Sequence, residues 1–205
     1  MLTPMSLIIE IAEYDTRWPR MFEQERCRLI GQFAQFDIIE LIEHIGSTAV
    51  PGLAAKPVLD ILLGVGNKDI LDVHSEEAWN AEADKHISPR GPRLHVELVD
   101  GLARLGYVYR GEASIPGRLF FRKDTGGHRT HHIHVAKFGG DFWQSHLLFR
   151  DYLRAHPEWA HAYGELKRKL AMEHGHSRAA YTDAKTPLIN ELLSKAEAWR
   201  ARGGV

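Results

Sequence analysis

The segment Val58 to Val65, VLDILLGV, constrains this chain more than any other. Apart from Asp60 it is apolar throughout, and it is short. Such a run suits a strand covered on both faces, with helices outside the sheet. A carboxylate inside it is costly unless it is paired or binds a metal. Asp60 is therefore a candidate functional residue, weighed against a plainer role as an anchor for a lysine or for loop N–H groups. Its neighbours on the same strand face are Val58 and Leu62.

The elements around this strand can be read in order. Trp18 to Phe36 carries Trp18, Phe22, Leu29, Phe33 and Phe36 on one helical stripe, with Asp15 or Thr16 as cap and Pro19 in the first turn. Ile38 to Ile45 reads as a strand. Gly46 to Pro57 reads as a loop. From Asp72 to about Arg93 the periodicity is lost, and the segment reads as a mobile surface excursion. Leu94 to Leu105 is helical, with Gly106 as a C′ residue. Tyr107–Arg110, Arg118–Lys123 and Arg129–Lys137 form a strand meander, broken at Pro116-Gly117 and Gly126-Gly127. Helices follow over Phe142–Ala155 and Pro157 to about Glu173. Thr186-Pro187 reads as the N-cap and first residue of a last helix. The order predicts an α+β fold with a mixed β-sheet flanked by helices and a C-terminal helical segment. It is taken as one domain over 1–205, with an α/β core at 11–140 and C-terminal helices at 141–205.

Three groups of residues carry chemical potential. Gly46-Ser47-Thr48 follows a strand directly, and a glycine-led turn with two hydroxyls suits a phosphate. Lys56 adds a cation. The spacing is not that of a P-loop, which needs a Lys immediately after its second Gly. Asp60 is the second group. The third is Arg129-Thr130-His131-His132-Ile133-His134-Val135. Alternation puts His132 and His134 on one strand face and Ile133 and Val135 on the other. Two histidines so spaced can hold one metal, or act as an acid/base and phosphate-binding pair. Arg118, Arg122 and Lys123 lie nearby in sequence. His128 and His131 are expected to face solvent.

Composition narrows the classes. With 26 basic and 27 acidic residues in 205 the formal net charge is −1, which argues against a generic nucleic-acid-binding surface. No apolar run is long enough for a transmembrane helix, and the N-terminus lacks the pattern of a signal peptide. The single Cys27 excludes an internal disulfide framework and a Cys-based zinc finger. The expectation is a cytoplasmic protein without a membrane partner.

The segment IEHIGSTAVPGLAAKPVLDILLGV, from Ile42 to Val65, resembles the signature of the GrpB family. The resemblance continues through YDTRWPRMFEQE, LGYVY, RLFFRK, RTHHIHV and LLFRDYLRAHPEWAHAYGELKRKLA, and ends with Tyr181 and Lys185. It covers about Ile11 to Ala196, with Asp72–Arg93 as an insertion. The resemblance implies a nucleotidyltransferase-like fold of the DNA-polymerase-β-like superfamily. It also implies a link to dephospho-CoA kinase, to which such domains are fused in some bacteria. In that superfamily pattern Gly46 and Ser47 match the Gly-Ser, and Asp60 matches the first carboxylate. The second carboxylate belongs at position 62, where this chain has Leu62. The third belongs in the strand that here offers His132 and His134.

The implied function is binding of a nucleotide- or coenzyme-A-like phosphate ligand, with nucleotidyl transfer by a reduced metal site or none. Ser47, Asp60, His132 and His134 are the catalytic candidates. Gly46, Thr48, Lys56, Arg118, Arg122, Lys123 and Lys185 are the substrate-binding candidates. Asp60, His132 and His134 are the candidate ligands for a divalent Mg, Mn or Zn ion. The alternatives are a metal-dependent hydrolase on the same three residues and a non-catalytic partner domain linked to coenzyme A metabolism.

Overall fold

The computed structural model describes residues 9–66, 70–71 and 90–204. The expected excursion at 72–93 lies outside the described residues as far as position 89. The fold is α+β, with one mixed five-stranded sheet and five helices among the described residues. The described chain divides into two compact units. A sheet unit comprises residues 19–44 and 59–144, and a helical unit comprises residues up to 18, 45–58 and 145 onward.

In the sheet unit, α1 (Trp18–Phe33) supplies its body from Pro19. The strands are β1 (Ile39–Ile45), β2 (Leu59–Val65), β3 (Val108–Tyr109), β4 (Leu119–Thr125) and β5 (His128–Lys137). Helix α2 (Arg90–Arg104) lies between β2 and β3 in the chain. It begins four residues before the expected Leu94, and an Arg93–Glu97 ion pair at i,i+4 spacing supports that earlier start. The strand order is β1-β2-β5-β4-β3. β2 and β5 run parallel, while β5/β4 and β4/β3 are antiparallel.

One face of this sheet forms the core. Ile61, Leu63, Val65, Phe121, Ile133 and Val135 are fully buried there. They pack with Phe22, Leu29 and Phe33 of α1 and Leu98 and Leu102 of α2. Gly101 lets the two helices approach closely, since a Cβ there would stand 2.5 Å from the Phe33 ring. The opposite face is set by the other parity, so it carries Asp60, Leu62 and Gly64 of β2 with His132, His134 and Ala136 of β5. Gly64 and Ala136 are register partners. Their small size admits the ring of Trp143, which lies 2.7 Å from where a Gly64 Cβ would stand.

The helical unit holds most of α3 (Asp141–Ala155), with α4 (Pro157–His174) and α5 (Arg178–Ala201). Val50, Leu53, Leu148, Tyr152, Leu153, Ala160, Tyr163, Leu192 and Ala196 make its core. The last helix differs from the sequence expectation. It starts at Arg178, where Ser177 Oγ accepts from Ala180 N at 3.2 Å, and it runs through Pro187. Thr186 therefore caps nothing; its hydroxyl donates to Thr182 O inside the helix. Burial of Tyr181, Leu192 and Ala196 on both sides of Pro187 holds the helix continuous despite the lost backbone bond.

Candidate functional site

Parallel pairing of β2 with β5 sets Asp60 beside His132 and Leu62 beside His134. Register partners share a sheet face, so one carboxylate and two imidazoles converge. One ligand atom from each of Asp60, His132 and His134 lies within 4.8 Å of the other two. His132 Nδ1 is 2.8 Å from Asp60 Oδ1, and His134 Nε2 is 3.6 Å from the same oxygen.

The hydrogen bonds assign the tautomers. Arg118 carries only donors, and its NH1 lies 3.4 Å from His134 Nδ1. That nitrogen is therefore the acceptor, and His134 bears its proton on Nε2, facing Asp60. His132 donates from Nδ1 to the ionised carboxylate, and its Nε2 lies on the other side of the ring. Burial works to raise the Asp60 carboxyl. The hydrogen bonds from His132 and His134, with their charge interactions, outweigh it and hold the group well below the usual carboxylate range. Burial pushes the His134 imidazole below its ordinary value, against the pull of Asp60. Asp60 is thus an anion beside a neutral His134.

Strand β4 completes this face. Phe120 opposes His134 in register and Arg122 opposes His132. The Phe120 ring lies 5.1 Å from that of His132 and 5.2 Å from that of His134. Arg118 stands over Phe120 at 5.0 Å, and Phe142 flanks His134 at 5.8 Å. Arg118 is buried, and burial lowers its pKa. Its NH2 donates to the carbonyls of Glu112 and Ala113 at 2.8 and 3.0 Å. Those bonds hold a turn in which Ala113 and Ser114 take left-handed φ values of 46° and 66°. Each such non-glycine residue stores roughly 1 kcal/mol of strain.

Among the described residues, the buried side-chain nitrogens without a hydrogen-bond partner are Arg118 Nε, Arg122 Nε and His132 Nε2. All three belong to this one face. Buried polar atoms are normally satisfied, so their concentration here makes this face the candidate site.

The remaining sequence candidate of the sheet unit, Lys123, lies on the core face. Lys123 has the opposite parity from Arg122, so it points to the core face, where its Nζ donates to Glu25 Oε1 at 2.8 Å. It does not join Arg118 and Arg122. His131 shares that parity. It is half-buried rather than solvent-facing, edge-on to Tyr107, and burial lowers its pKa. His128 is exposed, as expected.

Gly46, Ser47, Thr48, Lys56 and Lys185 belong to the helical unit. Gly46 has φ 70°, a left-handed value that favours glycine, and it leads into a 3-10 turn over Ser47–Ala49. Thr48 is buried, with its hydroxyl directed to Val58 O. Ser47 Oγ accepts from Lys167 Nζ at 2.9 Å. Lys56 and Lys185 place their ammonium groups 4.3 and 4.6 Å from the ring of Tyr181, whose phenol is pushed up to about 12 by burial.

Sequence reasoning passed over Lys167, Phe120 and Phe142. Lys167 had a signal: it lies in phase with buried Ala160, Tyr163, Gly164 and Leu170, a cation on the apolar stripe of a helix. Phe120 had one too, sharing parity with Arg118 and Arg122. Phe142 had none, because only tertiary structure brings it to His134.

The GrpB protein family model matches residues 8–85 and 90–195. The chain is 36% identical over 192 residues to the UPF0157 protein YqkA of Bacillus subtilis, covering 94% of this chain and 48% of that protein. It thus spans about half the length of that relative. It is 31% identical to the glutamate-rich protein GrpB of Alkalihalophilus pseudofirmus, covering 90% of this chain and 94% of that one. A dephospho-CoA kinase of Mycobacterium leprae matches at 31% identity over 77% of this chain and 39% of its own length. The crystal structure of the conserved protein GrpB from Enterococcus faecalis superposes with a TM-score of 0.72 at 32% identity, covering 93% of this chain and 99% of that one. Among the described residues no helix is long and apolar enough to cross a membrane.

Proposed function

The chain belongs to the GrpB family, and on that premise we propose that it binds a nucleotide- or coenzyme-A-like phosphate ligand at the Asp60–His132–His134 face and acts on it as a nucleotidyltransferase-like protein. One observation carries this reading: the buried Nε atoms of Arg118 and Arg122 and the buried Nε2 of His132 stand unpartnered on the sheet face that carries Asp60. Guanidinium N–H groups are strong partners for phosphate oxygens. The match to a dephospho-CoA kinase supports the coenzyme A class of ligand and an association with that kinase.

The two-magnesium clamp of the wider superfamily does not fit these residues. Mg²⁺ takes hard oxygen donors, and paired ions stand about 4 Å apart. Here one carboxylate faces two imidazoles, and Leu62, where a second carboxylate belongs, is fully buried. A second reading, a one-metal hydrolase, is favoured by the donor spacing. Ligands at about 2.1 Å from one Zn²⁺ or Mn²⁺ stand roughly 3 to 3.5 Å apart, close to the 2.8 and 3.6 Å between the imidazoles and Asp60. In that reading Asp60, His132 and His134 hold the ion, which would activate a water.

A thermal-shift series on the whole chain tests both. Nucleoside triphosphates, dephospho-CoA and CoA are added with and without Mg²⁺, Mn²⁺ or Zn²⁺. A ligand at a hundred times its Kd stabilises by about 2.7 kcal/mol, roughly 5 to 10 °C in a chain of this size. A shift with a phosphate ligand in chelator, lost in Arg118→Met, supports the first reading. A shift with Zn²⁺ alone, lost in His134→Gln, supports the second. No shift with any phosphate ligand overturns the first.

A further inference from the structure

We infer that Arg122 and Arg129 form a phosphate subsite at the hairpin end of the sheet face that carries Asp60, and that this subsite takes the phosphate monoester of a ligand in place of the Asp124 carboxylate. This deepens the phosphate-ligand reading above and rests on it.

The inference starts from a break in alternation. Strict alternation along β5 would put Arg129 with His131 and Ile133 on the core face. A β-bulge prevents it. Lys123 pairs with His131, but the next residue of β4, Asp124, pairs with Arg129, so Thr130 is the extra residue. Asp124 has the opposite parity from Lys123. Its register partner Arg129 therefore turns to the Asp60 face, beside Arg122. Bulges next to binding sites commonly re-aim a side chain in this way. Thr130 fills the break: its Oγ1 donates to the Lys123 carbonyl at 3.3 Å and lies 2.8 Å from His131 Nδ1.

The two guanidinium groups share one carboxylate, and both hold it loosely. Arg129 Nε donates to Asp124 Oδ1 at 3.4 Å, and Arg122 NH2 stands 3.8 Å from Asp124 Oδ2. Charge-assisted hydrogen bonds are shorter, about 2.8 Å. Each guanidinium carries several donors in a planar fork. Among the described residues the bond from Arg129 to Asp124 is the one hydrogen bond that the two side chains make. The cluster is reachable from outside: Arg122 is 32% exposed, Arg129 18% and Asp124 43%.

Two cations against one carboxylate leave an excess of positive charge. A phosphate monoester fits that excess. Its non-bridging oxygens can take a fork from each arginine, and its charge of about −1.5 to −2 at neutral pH balances both. A carboxylate brings one charge and two oxygens, no more than Asp124 already supplies. Asp124 turns to solvent as the phosphate arrives. Two residues advance a strand by roughly 7 Å, so the subsite lies about one such step beyond the Arg122–His132 pair. A ligand anchored there by its phosphate monoester extends its remaining part toward Asp60.

The test follows the arginine Nε–H NMR signals of the whole chain as inorganic phosphate is added, with chloride at matched ionic strength as the reference. The expected result is a saturable shift of the Arg122 and Arg129 signals with phosphate and none with chloride. Arg129→Gln should weaken phosphate about tenfold, and Arg129→Lys should not recover it, because the fork is lost. Arg129→Gln can fail by disturbing the hairpin, so the second variant is Asp124→Asn. It removes the competing carboxylate, and phosphate should bind about threefold tighter. A merely structural ion-pair cluster gains no affinity in that variant. Arginine signals unmoved by phosphate, an equal shift with chloride, or Asp124→Asn binding no tighter overturns the inference. The nucleotide and coenzyme A thermal shifts, repeated in Arg129→Gln, separate the subsite from the reading it rests on. A shift that this variant leaves unchanged overturns the subsite and leaves the binding reading standing. No shift with any phosphate ligand, and no phosphate response at the two arginines, overturns both.

Discussion

The two faces of one sheet carry two polar clusters of opposite character. On the core face, Glu25 of α1 is almost fully buried, and both its oxygens are engaged. Oε1 accepts from the Tyr107 hydroxyl and from Lys123 Nζ, each at 2.8 Å, and Oε2 accepts from Arg28 at 3.1 Å. Burial works to raise the Glu25 carboxyl, and its bonds to Lys123 and Tyr107 hold it below its usual value. Burial and the neighbouring Glu25 push the Tyr107 phenol upward. This network is closed. On the opposite face Asp60 is also ionised, but three nitrogens of that face are left without partners. Strand β4 supplies both clusters through residues one position apart, Lys123 and Arg122. A satisfied cluster fixes α1 against the sheet, and an unsatisfied one is available to a ligand.

The largest expected effect breaks the closed face. Glu25→Leu strands Lys123 without its carboxylate, and removing one partner of a buried ion pair costs about 3 kcal/mol or more. Urea denaturation reads this as a lower midpoint. Adding Lys123→Met should restore most of the loss, because an ion pair replaced on both sides by apolar groups is near neutral. Failure of the double variant to recover would mean that the network does more than fix α1.

Acid titration separates the faces next. Asp60 and Glu25 are depressed carboxyls. Their unfolded forms bind protons at higher pH than the folded ones, so their contribution is present above about pH 4 and lost as pH falls toward the folded values. His131 and His134 are depressed imidazoles. Again the unfolded state binds more protons, so stability begins to fall as pH drops below about 6.5. Denaturation midpoints should therefore decline in two stages on acidification. In the Glu25→Leu/Lys123→Met variant the lower stage shrinks, and the upper one retains the share of His134.

His132→Asn should cost within about 1 kcal/mol, because the lost bond to Asp60 is offset by removal of an unsatisfied buried atom. A loss as large as that of Glu25→Leu would make the open face structural as well. The smallest effect concerns the turn that Arg118 holds. Ala113→Gly releases left-handed strain at the cost of a more flexible unfolded chain, for a net gain of about 0.5 kcal/mol. Thermal unfolding with ligand present should place that gain in the free protein only if the turn moves on binding.

Much of this arrangement was legible in the sequence, and parity explains most of it. RTHHIHV reveals by alternation that His132 and His134 share a face, and the family resemblance joined Asp60 to them before the register was known. The same alternation separates Lys123 from Arg118 and Arg122, and ignoring it misplaced Lys123 at the site. Pro187 misled for a different reason. Proline is suited to a helix start, and only the burial of Tyr181 and Leu192 reveals that the helix passes through it. The tautomers of His132 and His134, and the contact with Phe142, depend on a guanidinium and a ring brought in from other elements. No periodicity encodes them.

The distinction between the two faces comes down to one atom, His132 Nε2. Its ¹⁵N resonance, followed in uniformly labelled protein as ATP is added in EDTA, reports on that atom directly. ATP should shift Nε2 while the Lys123 Nζ resonance on the closed face stays fixed. An Nε2 signal unmoved at millimolar ATP would contradict the assignment of this face to a phosphate ligand.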